Sequence, residues 1–170
     1  MSTPIILVDD EKAVRDSTAQ SLLLAGFDVQ TFESAQAALG RISAEFEGVV
    51  VSDIRMPEMD GLEFLQRILR IDRDLPVILI SGHADVATAV NAIRGGGYDL
   101  LEKPFANAQL IDVIKRAYEK RRLTLENRAL KEALANQTRP GPRIIGQTPA
   151  IMNLRKMITR IANVDADVLV

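Results

Sequence analysis

The sequence has no cysteine and no tryptophan, and its 170 residues include one histidine. Without cysteine there is no disulfide, no thiol nucleophile and no Cys-ligated zinc, which fits a reducing compartment. With His83 as the sole imidazole, no histidine cluster can hold a metal. No apolar run approaches the ~20 residues that cross a bilayer, and the basic-then-apolar opening of an export signal is missing. A cytoplasmic protein with no membrane partner is therefore expected. Neither sign of charge dominates: Lys and Arg number 21, Asp and Glu 23, a net charge of -2. A basic body that grips nucleic acid through its phosphates is not indicated. What is present is ordinary for a folded protein, with 47% hydrophobic and 26% charged residues. The length fits one domain and a little more.

Three runs are almost purely aliphatic: Ile5 to Val8, Val49 to Val51 and Val77 to Ile80. A strand apolar on both faces must be covered on both, the signature of a central parallel sheet. Weaker strands fit near Asp28 to Phe32 and Tyr98 to Leu101. Helical spacing covers Ala13 to Leu24, Ala35 to Ala44, Leu62 to Ile71 and Val86 to Arg94, the last stopped by Gly95-Gly96-Gly97. Strand then helix, five times over, predicts a parallel α/β sheet with right-handed crossovers. The fifth helix runs on from Gln109 to near Asn136, about 40 Å at the usual rise, more than so small a core can cover. Leu123, Asn127, Leu130 and Leu134 recur at coiled-coil spacing, with a rival seam through Tyr118 and Leu125. A solvated helix and a dimerising helix both fit. The second is favoured, because the stripe otherwise faces water. Arg139 to Arg143 reads as a linker. Thr148-Pro149 reads as the start of another helix, with Ile151, Leu154, Met157, Ile158 and Ile161 on one face. Val168 to Val170 is an apolar run with nothing left to pack it, so a fragment of a longer protein is expected.

Ligands of open parallel sheets bind beyond the carboxyl ends of the strands. Asp9, Asp10 and Glu11 follow the first strand, Asp53 the third, Ser81, Gly82 and His83 the fourth, and Lys103-Pro104 the fifth. Gathered carboxylates repel, by about 4 kcal/mol per pair at ~4 Å and an effective dielectric near 20. Lys103 offsets part of that, and a hard divalent cation such as Mg2+ would offset more with only one or two carboxylates. The plainer reading, that Asp9 and Asp10 end a strand and cap a helix, explains neither Asp53 nor Ser81 nor Lys103. No Gly-rich phosphate cradle is present. The pocket suits a phosphoryl group arriving at a carboxylate: Asp53 as nucleophile, with Lys103 and the Ser81 hydroxyl on the phosphoryl oxygens. Hydrolases with an Asp nucleophile usually place a second Asp two residues on, and Arg55 stands there. A persistent product, and so a signal, is favoured over turnover. A Mg2+-dependent phosphohydrolase with an aspartyl intermediate is the rival reading, and a purely structural dimerisation module the third.

The segments Ile6 to Glu11, Val49 to Leu65, Val77 to Asp85 and Leu100 to Phe105 together resemble the receiver domain of bacterial two-component response regulators. The resemblance implies a flavodoxin-like, doubly wound five-stranded parallel sheet of order 2-1-3-4-5. It implies Asp53 as phosphoacceptor and Ser81 as switch hydroxyl, with Lys103 binding phosphate before a cis Pro104. It implies Mg2+ held by Asp10, Asp53 and the backbone carbonyl of Arg55, with Asp9 acting through water. Pro57 and Gly61 shape the adjoining loop. A sensor histidine kinase is the implied phosphoryl donor. The family's switch aromatic falls at Leu100, with Tyr98 in the other register, so the signal is expected to pass through the fourth helix and the loop before it. Residues 144–170 are similar to the opening of the AAA+ ATPase domain of sigma-54-dependent activators, most of all the regulators of dicarboxylate transport. The phosphate-binding loop and any DNA-binding motif would lie further on, so this chain is expected neither to hydrolyse ATP nor to bind nucleic acid. The expected layout is a receiver over 1–122, a coiled-coil linker over 123–138, a flexible linker over 139–143 and the ATPase start over 144–170.

Three residue groups have plainer readings. His83 is expected as a surface residue more than a relay. Lys115, Arg116, Lys120, Arg121 and Arg122, interleaved with Glu119 and followed by Glu126 and Glu132, are expected as a solvated helix flank. Met56 and Met59 are expected to close the acceptor loop.

Overall fold

The computed structural model describes residues 3–82, 86–137 and 151–153. Along the chain run β1 (Pro4–Val8), α1 (Lys12–Leu24), β2 (Asp28–Phe32), α2 (Ala35–Leu39) and β3 (Val49–Asp53). They are followed by α3 (Gly61–Ile71), β4 (Val77–Ser81), α4 (Val86–Arg94), β5 (Asp99–Glu102) and α5 (Asn107–Gln137). The strands form one sheet of order β2-β1-β3-β4-β5, each neighbouring pair parallel. The expected topology is the observed one.

The aliphatic runs explain the layering. Every residue of β3 and β4 is buried, as central strands covered on both faces require. Period-two alternation then sorts the side chains. Ile6, Val8, Val50 and Leu79 join Phe64, Leu65 and Ile68 of α3 and Ala92 of α4 in one core. Ile5, Leu7, Val51, Ile78 and Ile80 join Leu22 of α1 and Leu110, Val113, Ile114 and Ala117 of α5 in the other. Each fully buried aliphatic side chain stabilises such a core by roughly 1.5–3 kcal/mol.

The structure departs from the expected elements in two places. The expected helix from Ala35 to Ala44 stops at Leu39, before Gly40. The N–H groups of Arg41 and Ile42 then donate to the carbonyls three residues back, and the chain turns away although Ile42 is buried. In α5, Arg121 is not part of a solvated flank. It has no exposed surface, because it falls four residues after Ala117 on the buried stripe.

On β5, Leu100 packs against the core on the α3 and α4 side. Tyr98 packs on the α5 side, with Lys120 Nζ 5.5 Å from its ring centroid.

The chain divides into two compact units, Met1–Leu125 and Glu126–Val170. The sheet belongs to the first. The described part of the second is helical, comprising the remainder of α5 and residues 151–153. His83, the linker over 139–143, the Thr148-Pro149 cap and the run Val168 to Val170 lie outside the described residues, as does most of the expected ATPase start over 144–170.

Candidate functional site

Parallel strands share one direction, so their carboxyl ends meet at one edge. Asp53 ends β3, Ser81 ends β4, Asp9 follows β1 directly, and Lys103 follows β5. Register aligns them: Asp53 pairs with Ile80, and Ser81 with Glu102. Lys103 is pinned from behind, its backbone N–H donating to the Ser81 carbonyl at 2.8 Å. The Lys103–Pro104 peptide bond is cis.

Lys103 Nζ donates to Asp53 Oδ1 at 2.7 Å and to Asp9 Oδ2 at 3.2 Å. Asp53 and Asp9 are 7% and 4% exposed, so one ammonium bridges two carboxylates that have largely left water. The second oxygen of each is also held. Asp53 Oδ2 accepts from the Arg55 backbone N–H at 2.7 Å, and Asp9 Oδ1 from the Glu11 N–H at 2.9 Å. Burial raises the Asp9 pKa above the usual carboxylate range; Lys103 opposes that shift, and the nearby Asp53 charge adds to it. Burial pulls the Lys103 pKa down, but its hydrogen bonds and charge contacts with Asp53 and Asp9 outweigh this and leave it raised.

The loop after Asp53 is tightly built. Gly61 N–H donates to the Ile54 carbonyl at 2.9 Å. A Cβ on Gly61 would lie 2.4 Å from the Asp53 carbonyl oxygen and 2.8 Å from Ile54 Cα, so only glycine fits that approach. Asp60 caps α3 by accepting from the Glu63 N–H at 2.8 Å. Met56 and Met59 are buried against the α3 side of the sheet.

Asp10 differs from its neighbour. Its carboxylate is exposed and makes no hydrogen bond or ion pair among the described residues. Ser81 is buried on the neighbouring strand, one residue past the Ile80 that pairs with Asp53. Two supporting residues escaped the sequence reading. Ser52, fully buried, donates to the Asp53 carbonyl at 2.9 Å. Arg15 Nη1 donates to the Asp9 carbonyl at 2.6 Å, holding the turn that carries Asp9 and Asp10. A basic residue one helical turn past an acidic pair was the available signal for Arg15.

Among the described residues, no three Asp, Glu or His side chains converge tightly enough to cage an ion by themselves. The donor set is sparser: two clustered carboxylates, the exposed Asp10, and the Arg55 carbonyl oxygen, which accepts no hydrogen bond among the described residues. A hard cation that keeps most of its water fits such a set, and Mg2+ is one. Chemically, the pocket offers a carboxylate nucleophile with a fixed ammonium beside it, where charge on a phosphoryl group would develop.

Residues 5–115 match the family model described as the response regulator receiver domain. The chain is 49% identical over 166 residues to the C4-dicarboxylate transport transcriptional regulatory protein DctD of Rhizobium meliloti, covering 98% of this chain and 36% of that protein. It thus spans about a third of that relative's length. A crystal structure of NtrX from Brucella abortus in complex with ADP aligns with a TM-score of 0.69 at 37% identity, over 95% of this chain and 34% of that one. The solution structure of the beryllofluoride-activated NtrC4 receiver domain dimer aligns with a TM-score of 0.65 at 36% identity, over 69% of this chain and 98% of that one.

Proposed function

This chain belongs to the response regulator receiver domain family, and on that premise we propose that Asp53 accepts a phosphoryl group from a sensor histidine kinase in a Mg2+-dependent reaction. The observation that carries the reading is the single ammonium of Lys103, set 2.7 Å from Asp53 and 3.2 Å from Asp9 at the carboxyl edge of the sheet. In the transfer, an Asp53 carboxylate oxygen attacks phosphorus, the bond from phosphorus to the donor's imidazole nitrogen breaks, and that nitrogen keeps the electron pair. Lys103 and the Ser81 hydroxyl take the phosphoryl oxygens. Asp10, Asp53 and the Arg55 carbonyl would hold the metal, and Asp9 would act on it through water. A divalent cation there supplies the positive charge that lets one anion approach another.

Arg55 stands where an aspartyl hydrolase places its general acid, which favours a lasting phosphoprotein over turnover. Leu123, Leu130 and Leu134 are exposed large apolar residues on one face of α5. Helical geometry puts that face about 200° from Arg121 and the buried stripe, so the receiver's own core leaves it uncovered. We assign it to a homodimer. The long helix then transmits the phosphorylation state to a downstream AAA+ ATPase that acts on sigma-54 RNA polymerase, and a rigid unphosphorylated dimer holds that ATPase off. By its name, the Rhizobium meliloti relative regulates C4-dicarboxylate transport, and we extend that target, and a cytoplasmic location, to this chain. No described helix is long and apolar enough to cross a membrane.

The test compares the protein with its Asp53→Asn variant in the presence of Mg2+. Acetyl phosphate is expected to label the unaltered protein once per chain and the variant not at all, and beryllofluoride is expected to change the oligomeric state of the former only. Labelling that survives Asp53→Asn, or rapid multiple turnover on small phosphate esters, overturns the reading.

A further inference from the structure

Arg121 is the largest fully buried side chain among the described residues. All three guanidinium nitrogens are engaged. Nε donates to the Phe46 carbonyl at 2.9 Å, Nη2 to the Ala44 carbonyl at 2.8 Å, and Nη1 to Asp72 Oδ2 at 2.7 Å. Asp72 is buried too, and its other oxygen accepts from the Asp74 N–H at 2.9 Å. One side chain therefore ties three segments together: the stretch between α2 and β3, the C-terminal cap of α3, and α5.

Its place on α5 gives the tie a use. Leu110, Val113, Ile114 and Ala117 bury the helix against the sheet, and Arg121 is the last member of that stripe. The next apolar residue, Leu123, is exposed and begins the opposite stripe. Arg121 thus sits where the receiver's hold on α5 ends. An apolar residue there would bury comparable area without prescribing an orientation for this turn. A planar guanidinium with three fixed acceptors accepts one orientation. Replacing a buried ion pair with apolar residues of similar volume is often neutral for stability, so the pair is better explained by the geometry it imposes.

Asp72 also has a short covalent route to the phosphoacceptor. Asp53 ends β3, the loop clamped by Gly61 follows, and the rigid α3 delivers Asp72 at its far end. We propose that Arg121 is a positioning residue: its pair with Asp72 fixes the direction and rotation of the last turn of α5 that belongs to the receiver, and it relays a shift of the acceptor loop, carried along α3, into that turn. The relay rests on the phosphorylation-dependent assembly proposed above. The fixed exit does not.

The absence of cysteine makes the test clean. Spin labels on cysteines introduced at the exposed Gln36 and Arg122 report the spread of distances between α2 and the last turn of α5 in the receiver, with labelled chains diluted into unlabelled protein. The unaltered sequence is expected to give a narrow distribution. The double variant Arg121→Met, Asp72→Leu is expected to regain most of the urea midpoint that Arg121→Met loses and to keep its beryllofluoride binding while the distribution broadens at least two-fold. Arg121→Lys, which keeps the charge without the planar fork, is expected to broaden it as well. A double variant as narrow as the unaltered protein overturns the fixed exit, and so does a narrow Arg121→Lys. Sedimentation with and without beryllofluoride tests the relay. Loss of the response in both variants supports it, and a full response despite a broadened distribution overturns it. If the unaltered protein shows no response, the assembly reading fails together with the relay, while the distances still decide the fixed exit.

Discussion

Replacing Lys103 with Met tests the electrostatics of the pocket directly. Two oxygens lying 2.7 and 3.2 Å from one nitrogen are at most about 5.9 Å apart, which at an effective dielectric near 20 is a repulsion of about 3 kcal/mol between Asp53 and Asp9. The ammonium now masks that repulsion. Stripping one partner from a buried charge cluster typically costs 3–5 kcal/mol. The Lys103 side chain is 25% exposed, so solvent already screens part of its effect, and a loss of about 2–4 kcal/mol is expected at pH 7. The folded lysine holds its proton more tightly than its ordinary value of 10.5, so its contribution is whole at neutral pH and is lost only as pH rises through the raised value. In the Met variant the penalty lies in the two carboxylates. It should shrink on acidification, when protonation of Asp9, whose pKa burial raises, removes the repulsion, and Mg2+ should restore part of it. Urea unfolding followed by far-ultraviolet circular dichroism at pH 7 and pH 4.5, with and without Mg2+, reads all three effects. A penalty below about 0.5 kcal/mol at pH 7, or one unchanged between the two pH values, would refute the bridged pair.

The same reasoning gives Asp9→Asn the opposite sign. Burial raises the Asp9 pKa, so the folded state binds this proton more readily than the unfolded one and stability falls as pH climbs through the raised value. Asp9→Asn should therefore raise the urea midpoint at pH 7, with the gain vanishing as pH drops toward 3.8, while weakening Mg2+ binding measured by calorimetry. Gly61→Ala should cost about 1–3 kcal/mol, because backbone atoms at 2.4 and 2.8 Å cannot step aside as a flexible side chain would, and it should slow labelling by acetyl phosphate because the displaced loop follows Asp53 directly. Arg121→Met alone should cost about 3–5 kcal/mol by removing the guanidinium that balances the Asp72 charge, and adding Asp72→Leu should recover most of that in urea titrations.

The sheet was legible because its central strands are aliphatic on both faces, which leaves little choice of architecture. The site was legible for the same reason. Once strand direction is fixed, Asp9, Asp53, Ser81 and Lys103 fall at one edge without any knowledge of the loops between them. Side-chain detail was not legible to the same degree. Nothing in the sequence separates a buried Asp9 from an exposed Asp10, because the difference arises from Lys103, which hydrogen-bonds Asp9 across 94 positions. Ser52 alternates into the core like an aliphatic residue and shows its use only through the carbonyl it meets.

The two departures of the fold from expectation meet at one contact. Local pattern carries a helix through Ala44, and local composition puts Arg121 among solvated charges. Ala44 and Arg121 lie 77 positions apart. The carbonyls of Ala44 and Phe46, in the stretch between α2 and β3, accept from Arg121. Arg121 in turn can be desolvated only because these two carbonyls and Asp72 meet all its nitrogens. Helix propensity is worth a few tenths of a kcal/mol per residue, whereas an unsatisfied buried guanidinium costs several. The tertiary contact therefore wins at Arg121, drawing a charged residue onto the apolar stripe of α5, while α2 ends after five residues, before Gly40.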